Sequence, residues 1–101
     1  MNCFISQPMA SLSRENIQEV RQNAIDILKV RYGDINIINS YIDCTNQNYP
    51  WLLGNALIQL SNADLVFFTK GWEDYLGCII EYEAAKRIGA QLIFEENLSL
   101  M

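Results

Sequence analysis

Alternating strand-like and helix-like segments predict an α/β domain of three layers, α/β/α, on a parallel sheet. Apolar runs of strand length, such as Leu65-Val66-Phe67-Phe68, alternate with segments whose apolar residues recur at helical spacing. The resulting order, β-α-β-α-β-α-β, calls for parallel strands joined by right-handed crossovers with helices on both faces. A chain of 101 residues, half of them hydrophobic and 19% charged, supplies a single core, so residues 1–101 form one domain.

The elements follow in order. Asn2 to Ile5 reads as a first strand, which Ser6-Gln7-Pro8-Met9 breaks. Ile17, Val20, Ala24, Ile27 and Leu28 then keep a helical period from about Ser13 to Tyr32. Ser13 is placed to cap that helix, Glu15 suits its first turn, and Gly33 suits its end. Ile35 to Ile38 is a second short strand, and Asn39 to Tyr49 is polar and irregular. Pro50 opens the next helix, where its missing N–H costs nothing, and Leu53, Ala56, Leu57 and Leu60 form its stripe. Asp64 to Thr69 is the third strand, and a loop with Gly71 and Trp72 follows. A third helix spans about Tyr75 to Ile88, with Gly89 as its stop. Gln91 to Glu95 is a fourth strand, and Glu96 to Met101 reads as a tail or a small contact between copies.

Composition excludes several function classes. Apolar runs are no longer than strands, so no membrane-spanning helix is expected. No basic segment followed by an apolar stretch marks a secretory signal. A formal charge of −5 argues against a nucleic-acid polymer as partner, yet it is compatible with a small phosphorylated ligand held by backbone N–H groups. Three cysteines, Cys3, Cys44 and Cys78, show no CxxC spacing and fit a reduced, cytoplasmic setting. The chain has no histidine, which removes His-based acid–base catalysis and leaves no ligand cluster for zinc. Neither a metal nor another cofactor is implied. Chemistry must run on carboxylates, hydroxyls, amides or backbone groups.

In parallel sheets ligands bind beyond the carboxyl ends of the strands, where strand order reverses. Those ends carry Ser6 to Ser11, Asn39 to Asp43, and Thr69 to Trp72. At about 100° per residue, Gly77, Ile80, Glu81, Ala84, Ala85 and Ile88 share one stripe of the third helix. Glu83, Lys86 and Arg87 take the solvent side. Glu81 is therefore a carboxylate on an apolar face, either functional or simply buried and bonded to neighbouring N–H groups. Gly77 serves close helix–sheet packing or leaves room for a ligand. Trp72 and Tyr75 offer rings for stacking on a planar base, or pack in the core. Asp64, at a strand start, has turn or capping as its ordinary role. Ser6, Ser11 and Ser13 suit a phosphate, but equally an ordinary loop and cap. Gln7-Pro8-Met9 matches no phosphate loop, and neither a P-loop nor a dinucleotide fingerprint is present.

One combination of segments is more specific. Phe4-Ile5-Ser6-Gln7-Pro8-Met9, Leu53-Gly54, Ala63-Asp64, Gly71-Trp72-Glu73, Gly77-Cys78 with Ile80-Glu81, and Gly89 span nearly the whole chain. Together they resemble a family of small bacterial and phage proteins of unassigned function, related to nucleoside 2-deoxyribosyltransferases and deoxynucleotide N-hydrolases. The resemblance implies a Rossmann-like (flavodoxin-like) parallel sheet of about four to five strands. It also implies a helix-borne glutamate that attacks C1′ of the sugar, which falls on Glu81. Gly77 matches the glycine of that motif and Cys78 replaces its threonine. A second catalytic carboxylate falls on Asp64, and the expected ligand-binding residues are Ser6, Gln7, Pro8 and Met9 of the first loop with Gly71, Trp72, Tyr75, Gly77 and Cys78.

Departures are specific too. The relatives' orienting tyrosine falls on Phe4, a loop glycine on Gln7, and the aspartate that assists the leaving base on Tyr75, with Asp74 adjacent.

Two functions are therefore expected. One is cleavage or transfer of an N-glycosidic bond in a nucleoside or nucleotide, with Glu81 as nucleophile. The alternative is a non-catalytic module that senses or sequesters a nucleotide-derived signal. Loop aromatics Tyr49, Trp51 and Trp72 and an apolar tail of Leu98, Leu100 and Met101 add the expectation of a homo-oligomer, a dimer or larger.

Overall fold

The structure, a computed structural model, describes residues 1–9, 12–38 and 49–98. Its strands are β1 (Asn2–Ser6), β2 (Asn36–Ile37), β3 (Leu65–Phe68) and β4 (Gln91–Phe94). Its helices are α1 (Arg14–Tyr32), α2 (Tyr49–Leu60), α3 (Leu76–Ile88) and the short α4 (Glu95–Leu98), with a 3₁₀ turn at Trp72–Asp74 before α3. The four strands form one sheet in the order β2-β1-β3-β4, and every pairing is parallel. The α/β three-layer fold is thus present, with four strands among the described residues.

Side-chain alternation assigns the two faces. Along β1, Cys3 and Ile5 point one way and Phe4 and Ser6 the other. Cys3 and Ile5 pack with Leu65, Phe67 and Ile93 under Ala24 and Leu28 of α1. Phe4 packs with Val66 and Phe68 under Leu60 of α2 and Ala85 of α3. This division is what right-handed crossovers require, because β1 to β2 runs one way across the sheet and the later crossovers run the other. All four residues of β3 are buried, so its continuous apolar run belongs to a central strand covered on both sides.

The ends of the helices are made as their sequences suggest. Ser13 Oγ accepts the backbone N–H of Asn16 at 3.1 Å. Gly89 closes α3 at φ 76°, donating its N–H to the carbonyls of Ala85 and Lys86. An L side chain there would meet the left-handed penalty, which glycine escapes.

Several boundaries move. β1 runs on through Ser6, and β2 keeps only Asn36–Ile37. Ile38 still donates its N–H to the Cys3 carbonyl at 2.8 Å. The helix that Pro50 was expected to open starts one residue earlier, at Tyr49, and only Leu60 of its expected stripe is fully buried. α3 is rotated about its axis: Cys78, Glu81 and Ala85 are buried, whereas Ile88 is 47% exposed. The cause is a cluster of rings on the β4 side, where Tyr82 packs on Trp72, Phe68 and Phe94. Part of the expected tail is α4, and its Leu98 packs against the α1-side core. Asn39 to Asn48, including Asp43 and Cys44, lie outside the described residues, as do Ala10, Ser11, Leu100 and Met101. Among the described residues no helix is long and apolar enough to cross a membrane.

Candidate active site

Strand order reverses between β1 and β3, where the chain leaves β1 for one edge of the sheet and β3 for the other. Crevices at such points lie at the carboxyl ends of the strands. Here the ends are joined: Ser6 pairs with Phe68, and the N–H of Thr69 donates to the Ser6 carbonyl at 3.0 Å.

Ser6 shares the side of β1 that carries Phe4, so its hydroxyl points toward α3. Glu81 projects back from the second turn of α3. Ser6 Oγ donates to Glu81 Oε1 at 2.6 Å, with Ser6 fully buried and Glu81 8% exposed. Cys78, one turn earlier on the same face, is buried as well and lies beside Ser6.

Burial raises the Glu81 pKa from 4.5 to about 7, and the Ser6 hydrogen bond, which favours the ionised form, offsets only part of that rise. No described residue forms an ion pair with it. Glu81 lies beyond the first turn of α3, where the helix dipole has largely decayed. Burial likewise pushes the Cys78 thiol to about 11, with the Glu81 charge adding to the rise and the Ser6 bond opposing it. Cys78 is a neutral thiol in this cluster, whereas Glu81 is poised between acid and base near neutrality.

The other expected site residues divide sharply. Gln7 is 5% exposed; its Nε2 donates to the Ile17 carbonyl at 3.0 Å, while its Oε1 is buried with no partner. Pro8 is buried and Met9 half-buried, and the Met9 carbonyl accepts the N–H of Leu12 at 3.3 Å. Gly77 is the half-buried second residue of α3. Gly71 stands at φ 87°, which turns the chain into the 3₁₀ segment. Tyr75 is the N-cap residue of α3, with no side-chain capping bond. Trp72 is packed against the protein's own rings, with Phe68 and Tyr82 both at 5.0 Å and Phe94 at 5.6 Å between centroids. Trp72, half-buried, thus takes the packing alternative that its ring also offered. Ser13 caps α1.

Asp64 is not part of this cluster. It precedes β3, at the amino ends of the strands, about 13 Å from the Phe68 end at ~3.3 Å per residue. Its Oδ2 accepts the N–H of Asn2 at 2.8 Å, which ties the starts of β1 and β3 together. The contact that the structure gives Asp64 is thus a strand-joining one, the ordinary reading of an aspartate at a strand start. Phe4, 1% exposed, is a core residue, and the hydroxyl that meets the Glu81 carboxylate is that of Ser6, two residues on.

Two further residues matter: Thr69, which the sequence placed only at a ligand-facing strand end, and Arg21, which it did not single out. Thr69 is fully buried beside Gln7 in the continuing β1–β3 register, and its Oγ1 has no hydrogen-bond partner. A hydroxyl directly after the Leu65–Phe68 run was the available signal. Arg21 is 9% exposed and donates from Nη2 to the Ile38 carbonyl at 2.9 Å, at the carboxyl end of β2. Its position four residues after Ile17 and three before Ala24, both buried, placed a guanidinium on the apolar stripe of α1. Burial lowers its pKa.

No three acidic, cysteine or histidine side chains converge as metal ligands among the described residues. Comparison with protein-family models, with curated proteins and with solved structures finds no match to this chain.

Proposed function

We propose that this protein cleaves or exchanges the N-glycosidic bond of a nucleoside or nucleotide, with Glu81 as nucleophile. One observation carries the reading: a buried carboxylate held at 2.6 Å by Ser6 at the strand-order reversal of a parallel sheet. With Oε1 engaged by Ser6, Oε2 is the atom to attack C1′ of the sugar. The C1′–N bond breaks, its electron pair leaves with the base, and a glycosyl ester forms on Glu81. Water or a second base then attacks C1′ and frees the carboxylate. A pKa near 7 makes Glu81 more basic than an exposed glutamate, and so a stronger nucleophile once ionised. The resemblance to deoxyribosyltransferases and N-hydrolases points to the same role for the same residue. Its buried thiols suit the reduced cytoplasmic setting that this reading entails.

The test is to incubate the protein with deoxynucleosides and their 5′-monophosphates and follow free base by chromatography. Release that disappears in Glu81→Ala is the expected result. No release from any substrate, or release unaffected by that substitution, refutes it.

A second reading rests on the place of Asp64 at the far end of the sheet, which leaves the cluster without a second carboxylate among the described residues. General acid–base groups typically contribute 10²–10⁴-fold, so their loss favours binding over turnover. On that reading the site holds a nucleotide without cleaving it. A nucleotide at 100 times its Kd then adds ~2.7 kcal/mol of stability, visible as a thermal shift without base release.

A further inference from the structure

Two polar side chains at the strand-order reversal take no part in the Ser6–Glu81 bond. Gln7 follows Ser6 on β1 and Thr69 follows Phe68 on β3, so the parallel register sets them side by side. Alternation turns both to the α1 side of the sheet, the side of Ile5 and Phe67. The bond from Gln7 Nε2 to the Ile17 carbonyl fixes the orientation of the amide and leaves Oε1 as its spare atom. Gln7 is 5% exposed and Thr69 wholly buried, and neither Gln7 Oε1 nor Thr69 Oγ1 has a hydrogen-bond partner among the described residues. Buried polar groups are almost always paired, so two adjacent exceptions at a crevice need a cause. Lys70, next after Thr69, is exposed, which puts the pair directly beneath the surface.

The two atoms define what would satisfy them. An amide oxygen only accepts, whereas a hydroxyl both donates and accepts. A phosphate or carboxylate has no proton to offer Gln7 Oε1. A cation is disfavoured by Arg21, the buried guanidinium on the same side of the sheet, one turn after Ile17. An uncharged hydroxyl answers both atoms, donating to Gln7 Oε1 and accepting the Thr69 proton. Adjacent strands lie ~4.8 Å apart, so one oxygen between the two side chains reaches both. The edge of a nucleobase, with donor and acceptor on separate atoms of a flat ring, needs more room than this enclosed pair leaves.

We infer that Gln7 and Thr69 form a subsite for a ring hydroxyl, 2′ or 3′, of the sugar of a nucleoside. It rests on the reaction proposed for Glu81, which sets C1′ at the Ser6–Glu81 pair. Gln7 is the next residue after Ser6, and the N–H of Thr69 donates to the Ser6 carbonyl at 3.0 Å, so the subsite adjoins that carbon. The ring hydroxyls stand on the two carbons that follow C1′ in the sugar, a matching reach. The sugar then spans the strand ends, met by Glu81 from the α3 side and by Gln7 and Thr69 from the α1 side.

Thermal unfolding of the wild type, Thr69→Val and Thr69→Ser tests the subsite, each protein alone and with concentration series of nucleosides and their 2′,3′-dideoxy counterparts. Valine keeps the shape of threonine and removes the hydroxyl; serine keeps the hydroxyl. Without nucleoside, the Tm of Thr69→Val should be no lower than that of the wild type, because the lost hydroxyl has no partner in the fold. The wild type and Thr69→Ser should bind the hydroxylated nucleosides roughly tenfold more tightly than the dideoxy ones, and Thr69→Val should lose most of that preference. Equal affinity of the wild type for both sets overturns the inference, as does a preference that Thr69→Val leaves intact. A lower Tm for Thr69→Val with the preference unchanged also overturns it, assigning the pair to an internal water instead. Binding without discrimination fails this inference alone, whereas no binding of any nucleoside fails it together with the reaction proposed for Glu81.

Discussion

Replacing Glu81 by glutamine should change how stability depends on pH more than it changes stability at any one pH. The carboxyl has a pKa of about 7 in the folded protein against an ordinary value of 4.5. Below the lower value it is protonated in both states. Between the two values the folded chain keeps a proton that the unfolded chain has released, so stability falls as pH rises; above about 7 the dependence levels off. The interval corresponds to about 3 kcal/mol at 1.36 kcal/mol per unit of pKa. Glutamine has the same length, its carbonyl accepts the Ser6 hydroxyl, and it does not titrate. Urea denaturation of both proteins from about pH 4.5 to 8 isolates the group, because every other titration cancels in the difference. The stability of Glu81→Gln minus that of the wild type should rise by about 3 kcal/mol across that window, a Tm change on the order of 10–20 °C for a domain of this size. A difference that stays flat, or that falls with pH, would refute the account of Glu81 as a buried carboxyl lacking a cationic partner.

Ser6→Ala removes a hydrogen bond that favours the ionised form of Glu81, so the carboxyl should titrate higher by about one to two pH units, as a hydrogen bond to a charge is worth ~1.5–3 kcal/mol. The pH profile of base release should move upward with it, and an unmoved profile would exclude Ser6 as the positioning group. Asp64→Asn should leave base release intact and cost at most about 1 kcal/mol, given its exposure; a large loss of activity would return Asp64 to the site. Burial pushes Cys3 to about 12 and Cys78 to about 11, so neither is a thiolate at mildly alkaline pH. Peptide mapping after iodoacetamide treatment should find both unmodified until denaturant is added, and rapid native labelling of Cys78 would contradict its burial against Ser6.

Much of the fold follows from local chemistry. Ser13 and Gly33 bracket α1, Gly89 ends α3, and Leu65–Phe68 can only be a strand buried on both faces, because these features depend on backbone geometry and short-range periodicity. The alternation of strands and helices then leaves few topologies open, and a parallel sheet is the one observed. Glu81 was legible for the same reason: its place beside Ala84 and Ala85 put a charge on an apolar face. Arg21 presented the same signal on α1, between buried positions.

Tertiary structure alone decided which residues meet. Period-two alternation says that Ser6 lies on one side of β1, but not which helix covers that side; the strand order supplies α3, and with it the 2.6 Å bond to Glu81. The exact rotation of α3 depends on rings distant in sequence, Phe68, Trp72 and Phe94, closing on Tyr82. Asp64 makes the converse point. Its sequence context resembles a catalytic position, yet a parallel strand has two ends, and only the assembled sheet shows Asp64 at the end away from Glu81, bonded to Asn2. Sequence therefore determined the elements and the identity of the unusual carboxylate. The sheet order determined its partner and its shifted pKa, because hydrogen bonding and desolvation are set by what packs around a group rather than by its neighbours along the chain.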